Sequence, residues 1–120
     1  MKNILYIEDN DDNVYMLRAR LEIAGYSVAV AYDGETGVSM AKHDTCDLII
    51  MDLILPGIDG WEATRQIKSC TTTAHIPVIA LSSNATTEDR ARSLAAGCND
   101  FDTKPVDFNR LLRKIEACQT

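Results

Sequence analysis

Four short apolar runs punctuate the chain, Ile4–Ile7, Val28–Ala31, Leu48–Met51 and Val78–Leu81, and a weaker fifth lies near Phe101. They hold few polar residues, so they read as strands buried on both faces rather than strands with one wet side. The stretches between them keep a different period. Val14, Leu17, Leu21 and Ala24 recur at helical spacing, and Gly25 follows where a helix C-terminus favours glycine. "DGETGVSMAKH" makes a second, weaker helix after Asp33, and "DGWEATRQIKS" a third, with Asp59 as its cap and Glu62 three residues on. "TTEDRARSLAAG" makes a fourth, ended by Gly97, and "DFNRLLRKIEAC" a fifth, with Phe108, Leu111, Leu112 and Ile115 on one side. Five strands alternating with five helices predict repeated βαβ units. The expected fold is a doubly wound α/β domain, a five-stranded parallel sheet with helices on both faces.

With no linker, repeat or low-complexity tract, all 120 residues read as one domain. No run approaches the ~18 apolar residues of a membrane span. The N-terminus "MKNILYIEDN" is too short and too acidic for a signal peptide. A cytoplasmic protein with no membrane insertion is the expectation. The net charge of -6 is unevenly placed, with 4 basic and 11 acidic residues in the first half against 8 and 7 in the second. Direct nucleic-acid binding needs a basic stripe, which this distribution lacks, whereas an acidic first half suits a cation. Cys46, Cys70, Cys98 and Cys118 form no C-x-x-C pair and read as four reduced thiols. His43 and His75 stand apart from any acidic group of interest, and neither reads as a phosphodonor.

In a doubly wound sheet, ligands bind beyond the carboxyl ends of the strands. The residues standing there are Glu8 and Asp9 after the first run, Asp52 after the third, Ser82 after the fourth and Lys104 after the fifth. With those strands as neighbours, three carboxylates, a hydroxyl and an ammonium share one pocket. Carboxylates so close raise one another's pKa unless a cation joins them, and a hard divalent ion with oxygen ligands resolves the conflict. Asp11 and Asp12 fall instead in the first turn of the following helix, where acids complement the macrodipole.

At these residues the chain resembles a family. "YIEDN", "MDLILPGIDG", "PVIALSSNA" and "CNDFDTKPV", in this order over about residues 2–117, are similar to the receiver domain of two-component response regulators. The resemblance implies the flavodoxin-like strand order 2-1-3-4-5. It makes Asp52 the phosphoacceptor, with Mg2+ (Mn2+ as second candidate) held by Asp9, Asp52 and the Ile54 backbone carbonyl, and by Glu8 mainly through water. Lys104 pairs with the phosphoryl group and precedes a cis peptide at Pro105. Ser82 is the hydroxyl that swings toward the phosphoryl oxygen, and Phe101 the aromatic whose rotamer follows. The implied phosphodonor is a histidine kinase or histidine phosphotransfer protein. The output is a downstream protein bound at the surface of the fourth helix, fifth strand and fifth helix. The chain then acts as a signalling phosphoacceptor that promotes its own phosphotransfer and dephosphorylation, and the initiating Met1 favours a single-domain regulator.

Other readings fare worse. The run from Asp9 imitates a calcium loop, but Val14 and Arg20 stand where Gly and Glu are required. A haloacid-dehalogenase type of phosphatase needs an acid two residues after the nucleophile, where this chain has Ile54. A degenerate receiver that serves only as an interaction module is the alternative, and such a chain loses a pocket residue. Two departures from the family pattern bear on function. Asp102 replaces a more usual apolar residue and is expected to weaken the fifth strand. Apolar Ile54 cannot orient an attacking water, which predicts a long-lived phosphoryl state.

Overall fold

The computed structural model describes residues 2–84 and 86–119; Met1, Ala85 and Thr120 lie outside the described residues. Strands and helices alternate from end to end: β1 (Asn3–Ile7), α1 (Asp11–Ile23), β2 (Ser27–Ala31), α2 (Gly34–His43), β3 (Leu48–Asp52), α3 (Gly60–Ser69), β4 (Val78–Ser82), α4 (Thr87–Ala96), β5 (Asp100–Thr103) and α5 (Phe108–Cys118). All strand pairs are parallel, in the order β2-β1-β3-β4-β5.

Alternate residues of each strand feed two cores. On one face Leu5, Ile7, Ile49, Met51, Val78, Ala80 and Phe101 pack with residues of α2, α3 and α4. On the other, Ile4, Tyr6, Leu48, Ile50, Ile79 and Leu81 pack with Val14, Leu17 and Leu21 of α1 and Leu111 and Ile115 of α5. Each of the Val, Leu, Ile, Met and Phe side chains among them contributes about 1.5–3 kcal/mol on burial. β3 and β4 are buried at every residue, as their sequences require. The expectation of two buried faces fails at β2, where Ala29 is exposed while Val28 and Ala31 are buried. β2 is an edge strand with one partner, so its surroundings are half open.

The helix starts extend to all five helices the capping chemistry expected at Asp59. Side chains of Asn10, Asp33, Asp59, Thr86 and Asp107 each accept an N–H three residues on, opening α1 to α5. Asp11 and Asp12 occupy the first turn of α1, and Gly25 after α1 and Gly97 after α4 have positive φ. Trp61 packs at the start of α3, donating from Nε1 to Ser93 Oγ at 3.0 Å under the Arg92 guanidinium. His75 is exposed before β4, and His43 is exposed at the end of α2. No described helix is long and apolar enough to cross a membrane.

β5 is short but stays in register with β4 through Asp100, Phe101, Asp102 and Thr103. Asp102 does not dissolve it, because its buried carboxylate is answered from α5: Arg110 Nε and Nη2 both lie 2.9 Å from Oδ1. The Lys104 amide bonds Ser82 across the ladder, so alternation turns the amides of Phe101 and Thr103 to the open edge. There Asp100 Oδ1 and Asp102 Oδ1 accept them, each at 2.8 Å, while Lys114 Nζ donates to the Phe101 carbonyl at 2.6 Å.

Candidate functional site

Because the strands are parallel, the polar residues that end β1, β3, β4 and β5 emerge at one rim of the sheet. Lys104 Nζ lies 2.8 Å from Glu8 Oε1 and 3.3 Å from Asp52 Oδ2, joining residues 96 and 52 positions apart in sequence. Glu8 and Asp52 are almost fully buried, at 1% and 4% exposure, whereas Asp9 is open to solvent. One ammonium cannot neutralise two buried carboxylates. Burial, and then the neighbouring Glu8 carboxyl, push Asp52 up to about 7. Burial opposes ionised Glu8 as well, yet hydrogen bonds from Asp52 and Lys104 and the Lys104 charge hold its carboxyl below the usual range. Lys104 is raised: burial works against its charge, and Glu8 and Asp52 outweigh burial.

Carboxylate oxygens of Glu8, Asp9 and Asp52 lie within 4.8 Å of one another. These donors are all oxygen, carry more negative charge than Lys104 balances and include one solvent-facing group. That donor set fits a hard divalent ion such as Mg2+. Ile54, the one backbone candidate, follows Asp52 closely; its amide donates to Asp52 Oδ1 at 3.4 Å and its side chain is exposed.

The remaining expected residues are near the rim but differently engaged. Ser82 is buried at the end of β4, while the adjacent Ser83 is exposed. Ser82 Oγ donates to the Asn84 carbonyl at 2.8 Å and accepts the Asn84 amide at 3.0 Å, so it is turned into its own loop rather than onto Asp52. Phe101 is buried in the core on the opposite face, with the Arg90 guanidinium 5.3 Å from its ring centre. The Lys104–Pro105 peptide is cis, as the resemblance implied.

Two residues were not anticipated. Tyr6 Oη and Asn13 Nδ2 both donate to Glu8 Oε1 at 3.4 Å. Burial and the two nearby carboxyls raise the Tyr6 phenol, which keeps it a donor. Tyr6 stands two residues before Glu8 on the same strand face, a signal the sequence carries; Asn13 reaches back from α1, which spacing alone does not reveal. A cavity of about 340 Å3 opens beside Lys104 between α1 and the start of α5, lined by Tyr6, Asn13, Met16, Leu17, Arg20, Pro105, Val106 and Phe108.

Residues 4–116 match the response regulator receiver domain. The chain belongs to this receiver family. It is therefore a receiver domain of two-component signalling, a family of signalling phosphoacceptors. Protein PilH of Pseudomonas aeruginosa is 37% identical over 117 residues, covering 98% of this receiver and 97% of PilH. Response regulator PleD of Caulobacter vibrioides is 38% identical over 114 residues; the receiver spans only 25% of PleD and about half of several other curated relatives. Among solved structures, the receiver domain of sensor histidine kinase PA1611 from Pseudomonas aeruginosa has 37% identity and a TM-score of 0.92, covering 98% of this chain and 97% of that one. That structure holds a magnesium ion in its active-site cleft.

Proposed function

We propose that this receiver takes a phosphoryl group on Asp52 from a phosphohistidine of a histidine kinase or phosphotransfer protein, in the cytoplasm, as a single domain. The observation that carries the proposal is the shared contact of Lys104 Nζ with Glu8 and Asp52 beside a third carboxylate. An ionised Asp52 oxygen attacks phosphorus, the phosphorus–nitrogen bond to the donor imidazole breaks, and an acyl phosphate forms. Asp9, Asp52 and the Ile54 carbonyl would hold Mg2+, or Mn2+, directly, and Glu8 mainly through water. Bound there, the ion supplies positive charge for the phosphoryl oxygens. Lys104 adds a second positive group and leaves Asp52 for the phosphoryl oxygen as charge transfers. The cavity beside Lys104 gives a donor side chain access from the α1 side.

The phosphorylated carboxyl brings strong acceptors to within reach of Ser82, whose hydroxyl exchanges its Asn84 contact for a phosphoryl oxygen. Phe101 follows, leaving the Arg90 side of its pocket. The surface of α4, β5 and α5 thereby changes for a downstream protein. The receiver promotes both its own phosphorylation and its own dephosphorylation, with no direct contact to nucleic acid.

The test is intact mass after incubation with acetyl phosphate, with and without Mg2+, beside Asp52→Asn. One phosphoryl addition that needs both Mg2+ and Asp52 is expected. No addition to folded protein under any condition would replace this reading with a partner-binding module of receiver fold. The lifetime of the acyl phosphate is set in part by Ile54, whose exposed apolar side chain offers water no acceptor. Ile54→Asn is expected to shorten that lifetime several-fold, and an unchanged decay rate would remove Ile54 from the account.

A further inference from the structure

The loop between β3 and α3 carries Ile54 beside the phosphoacceptor, and the Ile54 amide faces Asp52 Oδ1. At its base the loop closes on itself. Gly60 N–H donates to the Leu53 carbonyl at 2.9 Å, and a Cβ on Gly60 would strike the Asp52 carbonyl oxygen. Its outer half is held from elsewhere. Ile58 N–H donates to Glu35 Oε1 at 2.7 Å, from the first turn of α2. Besides Asp52 at the end of the adjoining β3, Glu35 is thus a side chain of another element that grips the backbone of residues 53–58.

Two glycines make room for that grip. A Cβ on Gly34 would meet Ile58 Cγ1 at 2.6 Å and the Ile58 carbonyl oxygen at 2.8 Å. A Cβ on Gly57 would meet the Glu35 carboxylate oxygens at 2.5 and 2.6 Å, and Gly57 has φ of 73°, where other residues are strained. A glutamate that only solvated the surface would need neither opening. A carboxylate in the first turn of α2 complements the helix dipole and makes a charge-assisted bond to the Ile58 N–H.

We propose that Glu35 is a positioning residue for the phosphoacceptor loop: its carboxylate holds the Ile58 amide and, through the short loop, keeps the Ile54 backbone in register with Asp52. The inference rests on the reading of Asp52 as the phosphoacceptor and adds a residue on α2 that no strand-end pattern indicates.

Glu35→Ala removes the acceptor, and Glu35→Gln keeps an oxygen in its place. In Glu35→Ala the Ile54 and Ile58 amide resonances of the metal-free protein should shift. Mg2+ affinity and the rate of phosphorylation by acetyl phosphate should each fall about fivefold, the worth of one hydrogen bond. Glu35→Gln should restore both to within about twofold, because a neutral acceptor keeps most of the bond. Gly57→Ala crowds the same carboxylate and also strains the loop at a φ of 73°, so it should be at least as impaired as Glu35→Ala. An unmoved Ile54 amide in Glu35→Ala, or a glutamine variant as impaired as alanine, overturns the inference. A parent protein that takes no phosphoryl group overturns the reading of Asp52 instead, and the Ile54 amide in metal-free protein still decides the role of Glu35.

Discussion

Two clusters of charge lie at the α1/α5 side of this receiver, and they are built to opposite rules. At the strand ends, Glu8, Asp9 and Asp52 share Lys104. Under α5, Asp100 and Asp102 face Arg110 and Lys114. Each contains a carboxyl almost fully out of water. In the second cluster acids and bases match, and Asp102 keeps the Arg110 fork at 2.9 Å. In the first they do not match, and the excess appears as an Asp52 carboxyl driven up to about 7 by burial and by Glu8. Charge that cancels inside the protein fastens a helix to a strand. Charge left over at a rim calls for something from outside, which in the proposed function is a cation and then a phosphoryl group.

The contrast can be broken most forcefully at Arg110. Arg110→Ala leaves buried Asp102 facing only Lys114 at 3.9 Å, and should lower stability by about 2 kcal/mol, less than a fully buried pair because Arg110 is partly exposed. Urea unfolding at neutral pH measures it, and a loss no larger than that of a surface ion pair would put both clusters on the same footing. Asp52→Asn should act with the opposite sign. Without Mg2+ it relieves the excess charge and should raise stability by about 1 kcal/mol near pH 7; a destabilised variant would mean that Lys104 already balances the site.

The same imbalance gives a pH signature. Asp52 is raised in the folded state, so the folded metal-free protein keeps a proton that the unfolded chain has released. Its stability therefore falls as pH rises from the ordinary carboxylate range to about 7. Glu8 is lowered, so its contribution is present above the ordinary carboxylate pKa and is lost as pH falls below it. Mg2+ binding removes the Asp52 penalty, so the rise in Tm on adding Mg2+ should be larger at about pH 8 than at about pH 5. An equal rise at both would disconnect the ion from Asp52. The smallest effect belongs to Asp102→Val with Arg110→Met, where an apolar pair replaces the ionic one. Stability should change by less than about 1 kcal/mol, against the loss from Arg110→Ala alone, and the same unfolding measurement compares them.

Much of this could be read before any coordinates. The five strands, the capping residue Asp59, and the rim residues Glu8, Asp9, Asp52, Ser82 and Lys104 are local signals, set by period and by the position after an apolar run. The open face of β2 was not legible, since an edge strand and a central strand share composition and differ only in neighbours. Asp102 looked like a fault in β5 because its partner Arg110 lies in the next helix, across a loop, where the periodicity of a single strand or helix does not reach. Tyr6 and Asn13 escaped notice for a similar reason: a tyrosine in a buried strand reads as core, and only the fold shows that both groups point at Glu8. The resting direction of Ser82 toward Asn84 is a rotamer, which sequence does not encode.

The side-chain caps along β5 bear on how this receiver meets other molecules. A strand arriving at that border finds the outward amides of Phe101 and Thr103 already taken by Asp100 and Asp102, and the Phe101 carbonyl taken by Lys114. The sheet therefore cannot grow from this border by adding backbone to backbone, in a second copy or in an unfolded neighbour, without first prying those carboxylates loose. Crowding many copies together leaves this border closed, and whatever recognises the face of β5 must do so through side chains, whose identities can be selective in a way that main-chain hydrogen bonds are not.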